Sequence, residues 1–520
     1  MAASIEASTP SGKDGAVTKE VPAKVDEMTM PEHDAEDVFE GTVKTAYSKL
    51  STTLMVVFSA LAIGSDGFNS SIIGNLSLIF GVLYPDLSTG MYSRLSNAFI
   101  IGMIIGMLGF GYFSDRLGRK SGAIFTTLIL VVGIAMSAGA SGKDEMGMFW
   151  MLVVSRGIAG VGAGGEYPVS GAGATEATDE NSGARNHRGF IFAMIADVSA
   201  TFGFIFGGLV PLLLILCFHQ NEAHYHIVWR LALALGAIPP LSIFWFRYKM
   251  AVSTAYKKSA AKKQRIPYRL IVKRYWRPLL GCSIGWFLLM LTIALSYNYI
   301  SYPFGLFAST ITERLGIGNS LVKNMGWGTV INCFYIPGGI IGGLLSDKIG
   351  RRRTMAIGFG IQAIVGFIIG GALGSIQTVL PLFIVLYGIF LTLGEVGPGA
   401  TLILTSSESF PTSIRGQCLG LIAAFGKAGA AVGTSVFKPI LASFGDSTYK
   451  GNQAVFLIGS AFALVGAFTS WYLIPDISNR LENEDEVWKA YLRENGYDIQ
   501  WGEEDSDTKG LKMDGINIDL

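Results

Sequence analysis

Charge is scarce in this chain. Only 15% of the 520 residues are Asp, Glu, Lys or Arg, against about a quarter in soluble domains. A soluble chain of this length would divide into several domains with polar surfaces, so that class is excluded. Cysteine is scarcer still. Cys217, Cys282, Cys333 and Cys418 all sit in apolar runs and lack the spacing of metal ligands. They read as small core residues, which excludes a disulfide scaffold and calls for no metal. Histidine is confined to His33, His187, His219, His224 and His226, in tails or loops, so an enzyme is not expected. The N-terminus lacks an apolar segment behind a basic start, so no signal peptide is read there. No strand-like alternation recurs at the spacing of a membrane barrel.

Apolar residues and glycine are plentiful instead. Half of the residues are hydrophobic, 66 are Gly and the mean hydropathy is +0.44. Apolar runs lie near 50–73, 95–113, 122–141, 149–169, 189–217 and 227–246, and again near 279–308, 325–345, 354–374, 379–404, 416–442 and 453–474. Each is long enough to cross a bilayer, which requires roughly 20 residues, and the glycine suits close helix packing in lipid. The expected fold class is an all-α membrane protein with twelve transmembrane helices in two six-helix bundles. The expected division is a disordered tail over 1–48, bundles over 49–246 and 279–475, a linker over 247–278 and an acidic tail over 476–520. The linker carries Lys249, Lys257, Lys258, Lys262, Lys263, Arg265, Arg269, Lys273 and Arg274 with no acid. Basic loops face the cytoplasm, which puts both termini inside. The net charge of +1 is the sum of these segregated groups and points to no nucleic acid.

One ten-residue pattern occurs twice. Gly111-Tyr-Phe-Ser-Asp115-Arg116-Leu-Gly118-Arg119-Lys120 follows the second run, and Gly343-Leu-Leu-Ser-Asp347-Lys348-Ile-Gly350-Arg351-Arg352 follows the eighth. Repeated halves mark transporters. The aspartates sit at helix ends, where they can pair with Arg or Lys and accept backbone hydrogen bonds. Gly118 and Gly350 permit a tight turn. This loop resembles the signature of the major facilitator superfamily, and Arg156-Gly-Ile-Ala-Gly160-Val-Gly162-Ala-Gly164 resembles that superfamily's second motif. The resemblance covers residues 50 to 475 and implies two bundles rocking around a central site.

Charges inside the runs carry the functional signal, because each costs several kcal/mol unless it faces a partner or a cavity. They are Asp66, Arg156, Glu166, Asp197, Glu395 and Lys427. Glu166 follows Gly160, Gly162, Gly164 and Gly165, which let a neighbouring helix approach and strip water from the acid; that suits a proton carrier. Arg156 is too far along the helix to pair with it. Asp66 lies between Gly64 and Gly67, where it either couples protons or bends the helix. Asp197 either takes part in the site or bonds to Ser199 or Thr201. Pro398 removes a backbone donor beside Glu395 and frees carbonyls. A buried ammonium at Lys427 needs an anion, either Glu395 or a substrate phosphate.

A narrower resemblance follows. Gly162-Ala-Gly164-Gly165-Glu166-Tyr167-Pro168 resembles the fourth-helix signature of phosphate:proton symporters, and Gly64-Ser-Asp66-Gly67-Phe68 their first-helix acidic motif. Within that group the chain is similar to fungal glycerophosphodiester permeases, through Ser93-Arg94-Leu-Ser96-Asn97-Ala98, Tyr302-Pro303-Phe304-Gly305, Gly397-Pro398-Gly399 and Gly426-Lys427 among others. The sugar-porter motif is absent after span six. The resemblance implies proton-coupled import at the plasma membrane. Asp66 and Glu166 would carry the proton, and Tyr167, Asn298, Tyr302, Glu395 and Lys427 would meet substrate. The chain departs from the symporters at Asn298, where they have an acid, at Ile195, where they have Gln, and at Glu395, where they have Asn. A second register, through Trp286, places their acid at Met290; both cannot hold, because the run from Leu279 to Phe307 is longer than one span needs and looks as though about eight residues have been inserted. These changes fit an organophosphate better than inorganic phosphate. The alternatives are inorganic phosphate or another organic anion as cargo, or a transport-weak nutrient sensor. The expected partners are a small organophosphate, protons and the bilayer, with no cofactor. Nothing sets the oligomeric state, and a monomer is the default.

Overall fold

A computed structural model describes residues 32–117, 119–179, 187–249, 296–314, 320–408, 415–444, 448–474, 488 and 490–496. It divides the chain into two units, Met1–Leu50 and Ser51–Leu520. Twelve helices run through the described residues: α1 (Glu32–Leu83), α2 (Thr89–Leu117), α3 (Arg119–Ala138), α4 (Glu145–Asp179), α5 (Arg188–Cys217), α6 (Glu222–Trp245), α7 (296–314), α8 (Leu321–Ile349), α9 (Arg351–Ile376), α10 (Leu380–Glu408), α11 (Arg415–Ala442) and α12 (Thr448–Leu473). Ten of them are long and apolar enough over the described residues to cross a membrane; α1 and α7 border residues outside that set.

Two boundaries differ from expectation. Residues 32–48, read from the sequence as disordered tail, are helical. The end of α1 runs ten residues past the expected 73, and the polar side chains in that stretch find partners in the protein. Asn75 Nδ2 donates to the carbonyl of Gly207 (3.4 Å), its Oδ1 accepts from Ser309 (2.9 Å), and Ser77 donates to the carbonyl of Ile73 (2.7 Å). Residues 1–31, 250–295 and 497–520 lie outside the described residues, as do most of the linker and the acidic clusters of the C-terminal tail.

Outward faces are apolar. Ile101, Ile105 and Leu108 on α2, Ile357, Ile361, Ile364 and Ile368 on α9, and Leu464 and Phe468 on α12 are exposed at helical spacing. A soluble protein would place charge there; these stripes suit lipid. Polar residues turn inward instead. The two halves meet through α2 against α11 and α5 against α8, the second helix of each half against the fifth of the other. Small residues bring those helices together: a Cβ on Gly111 would stand 3.0 Å from the carbonyl oxygen of Gly416.

Candidate functional site

A cavity of about 150 Å³ lies between the halves. Tyr167 from α4, Asp197 from α5, Asn298 and Tyr302 from α7, Glu395 from α10 and Lys427 from α11 all line it. The backbone explains how two acids reach it. The segments Ala193–Val198 and Glu395–Gly399 are single π-helical turns within α5 and α10, a distortion frequent at functional sites. Pro398 sits inside the second and removes a backbone donor there. Between them, α8 presents Gly338 and Gly339. A Cβ on Gly338 would meet Glu395 Cβ at 2.7 Å, and one on Gly339 would meet Asp197 Oδ2 at 2.5 Å. Side chains at either position would fill the space the acids occupy.

Opposite charges occupy different parts of the cavity wall. Lys427 is buried, and its ammonium stands 4.6 Å from the ring centroid of Tyr302 and 5.4 Å from that of Tyr167. Cation–π contact in a desolvated site is worth about 2 kcal/mol. Asp66, wholly buried just off the cavity, is close enough for its charge to act on Lys427, Tyr167 and Tyr302. Glu395 accepts a hydrogen bond from Tyr297 Oη at 2.6 Å, and Asp197 lines the same cavity. The pairing of Lys427 with Glu395, one of two alternatives read from the sequence, is therefore corrected: among the described residues no ion pair joins them. The alternative of a local bond from Ser199 to Asp197 is corrected likewise, since the Ser199 hydroxyl donates instead to the carbonyl of Met194 (2.8 Å), while Asp197 lines the cavity.

Glu166 and Arg156 lie away from the cavity. The glycines of α4 let α2 and α3 close on it, and Glu166 Oε1 accepts from Thr126 at 2.6 Å while Oε2 accepts from Ser170 at 3.2 Å. Arg156 donates to the carbonyls of Leu95 (3.2 Å) and Asn69 (3.1 Å) and lies over the ring of Phe99, so it ties α4 to α2 and α1.

The second copy of the repeated loop forms a latch. Asp347 accepts from the backbone amides of Gly189 (2.8 Å) and Phe190 (2.9 Å), so an acid of α8 caps the start of α5. Arg351 reaches Asp347 (3.4 Å) and Glu408 (3.3 Å), and Arg188 reaches Glu408 at 3.5 Å. Gly350 holds φ at +90°, a conformation that favours glycine. Gly343 packs against Ala193 and Phe190, and Lys348 is exposed. In the first copy, Gly118 and the side chains of Asp115, Arg116 and Arg119 lie outside the described residues. At the opposite end of the cavity the halves touch through neutral groups. Asn97 donates to Ser435 (2.7 Å) and accepts from Thr434 (2.7 Å), joining α2 to α11.

A family model described as sugar (and other) transporter matches residues 52–488. The chain belongs to that family, within the major facilitator superfamily. It is an integral membrane transporter. It is 35% identical over 481 residues to glycerophosphoinositol permease 1 of Candida albicans, covering 91% of this chain and 89% of that protein. It is 35% identical over 474 residues to glycerophosphocholine permease GIT4 of the same organism, covering 89% and 87%. The solved structure of the proton:xylose symporter XylE bound to 6-bromo-6-deoxy-D-glucose superposes with a TM-score of 0.70 at 18% identity, covering 85% of this chain and all of that one. That likeness establishes the fold.

Several residues of the transporter's site escaped sequence reading. Tyr297 looked like one aromatic among many, although its place one residue before Asn298 was a signal. Arg188 and Glu408 fall just outside the apolar runs and read as loop charges, yet both are buried. Asn298 and Tyr302 share the cavity face of α7, the first of the two registers; Trp286 and Met290, which carry the second, lie outside the described residues.

Proposed function

We propose that the transporter imports glycerophosphodiesters across the plasma membrane in symport with protons, by alternating access. The observation that carries this reading is Lys427, a buried cation framed by two tyrosines in a cavity between the halves. A phosphodiester bears one negative charge and no acidic proton. It suits one ammonium with nearby hydroxyls, through charge-assisted bonds worth about 1.5–3 kcal/mol each. The relatives named for glycerophosphoinositol and glycerophosphocholine support the same class of cargo.

Asp66 supplies the coupling. Its negative charge lies near Lys427 and competes with an incoming anion for that ammonium. A proton on Asp66 removes the competitor, so proton and phosphodiester bind together, and loss of the proton expels the anion. Binding linked in this way is reciprocal. Glu166, held by hydroxyls within the first half, is the second proton-carrying acid in this scheme. The bundles over 49–246 and 279–475 move against each other, and the closures at the two ends of the cavity open in turn. Both termini and the basic linker face the cytoplasm.

The test is uptake of labelled glycerophosphoinositol, glycerophosphocholine and inorganic phosphate at two external pH values. Accumulation of either diester, greater at acid pH, is the expected result. Uptake of inorganic phosphate alone would overturn the reading.

A further inference from the structure

The cavity has a second pole that the phosphate does not need. Glu395, which accepts from Tyr297 Oη at 2.6 Å, and Asp197 both stand at its wall. Together they present several acceptor oxygens. Nearby, Ser301 is buried, lines the cavity, and its Oγ has no hydrogen-bond partner among the described residues. That Oγ lies beside α10, within 3.2 Å of where a Cβ on Gly394 would stand, next to Glu395. Its neighbour Tyr335 does not serve it, because the Tyr335 hydroxyl donates to the backbone carbonyl of Ser301 at 2.8 Å. A buried hydroxyl left unpaired is costly, and a ligand group that pairs with it recovers that cost.

The two poles are spaced along α7. Tyr297 holds Glu395 and Tyr302 frames Lys427. Five residues of helix separate the tyrosines by about 7.5 Å. A diester laid along α7 places its phosphate at Lys427 and its alcohol head group at the acids.

We propose that Asp197, Glu395, Tyr297 and Ser301 form the head-group subsite, and that it selects a polyhydroxyl ring such as inositol. This rests on the phosphodiester reading above. Ring hydroxyls donate to the carboxyl oxygens and pair with Ser301. The methyl groups of a choline head can do neither with Ser301, and would bury it unsatisfied. Inorganic phosphate brings no head group.

The test uses the full chain, purified and reconstituted in liposomes, with labelled glycerophosphoinositol and glycerophosphocholine as probes. The wild-type protein is expected to favour glycerophosphoinositol. Glu395→Gln is expected to raise the Km for glycerophosphoinositol relative to glycerophosphocholine about tenfold, the loss of one strong hydrogen bond. Ser301→Ala is expected to raise the same ratio about threefold; it removes an atom with no partner in the protein, so it decides the matter if Glu395→Gln fails to fold. A ratio unmoved in Ser301→Ala, or a wild-type protein that prefers glycerophosphocholine, overturns the subsite while leaving the phosphodiester reading intact. Wild-type uptake of inorganic phosphate and neither diester overturns both.

Discussion

The ammonium of Lys427 stands 4.6 Å from the ring centroid of Tyr302, across from the opposite half's Tyr167 at 5.4 Å. Two aromatic faces thus hold a charge that no carboxylate within 4 Å neutralises among the described residues. Removing that charge should weaken cargo binding and spare the fold. Lys427→Ala is expected to raise the Km for a glycerophosphodiester about 10- to 100-fold, with unchanged abundance at the membrane by surface labelling. Tyr302→Phe keeps the ring but loses the hydroxyl and should raise Km about tenfold, whereas Tyr302→Ala, which also loses the cation–π contact, should approach the lysine variant. A fall in abundance with unchanged Km would show that Lys427 serves packing.

In the proposed scheme Asp66 and Glu166 both carry protons, and their surroundings differ: Asp66 is wholly buried just off the cavity and Glu166 sits among hydroxyls. Asp66→Asn is expected to abolish the gain in uptake at acid pH, because the acid stays neutral at every pH, while exchange of internal for external substrate persists. Glu166→Gln should also abolish pH-driven accumulation. Paired uptake and exchange assays at two pH values check this, and a retained pH response would remove the residue concerned as a proton carrier.

The buried cluster of Arg188, Glu408, Arg351 and Asp347 should hold one end of the cavity shut. Loss of one partner from a buried ionic group costs about 3–5 kcal/mol, since the remaining charges stay dehydrated. Glu408→Gln is therefore expected to lower the thermal midpoint of the purified protein. It should also speed thiol labelling of a cysteine placed at Ala423, on the cavity wall, when reagent is applied from the side of the repeated loop. Slower or unchanged labelling would show that the cluster does not close that end.

The glycines of α8 act by being small. Gly339→Ala puts a methyl group 2.5 Å from Asp197 Oδ2 and is expected to cut uptake sharply with the protein still in the membrane. Gly371→Ala, where nothing lies within 4 Å, is the control and should gain up to about 1 kcal/mol of helix stability. Equal uptake in the two variants, measured at matched abundance, would refute a close contact at Gly339.

The helices were legible because a span must be apolar over its whole length, and the loops because a basic turn interrupts it. The cavity residues were legible for a related reason: Asp197, Glu395 and Lys427 are charges where charge is expensive, and all three line it. Their pairing was not. Whether Glu395 faces Lys427 or Asp197 depends on how α5, α8 and α10 approach one another, which glycines permit but do not specify. Arg188 and Glu408 were missed because a charge at the end of an apolar run looks the same whether water or another helix meets it.

The π-helical turns of α5 and α10 have a consequence for chain length. Each holds one residue more than the α-helical turn it replaces, and each stands between two jobs done by one helix. In α5 the latch residue Arg188 precedes the turn and Thr201 at the cavity follows it; in α10 Glu395 opens the turn and Glu408 of the latch lies beyond. Losing one codon from either segment would restore a regular helix and rotate one side against the other by about 100°. Latch and cavity could not then both keep their facing partners. The surplus residue in each half acts as a spacer that sets two functions in phase, and at these two places a change of length should be less tolerable than any change of side chain.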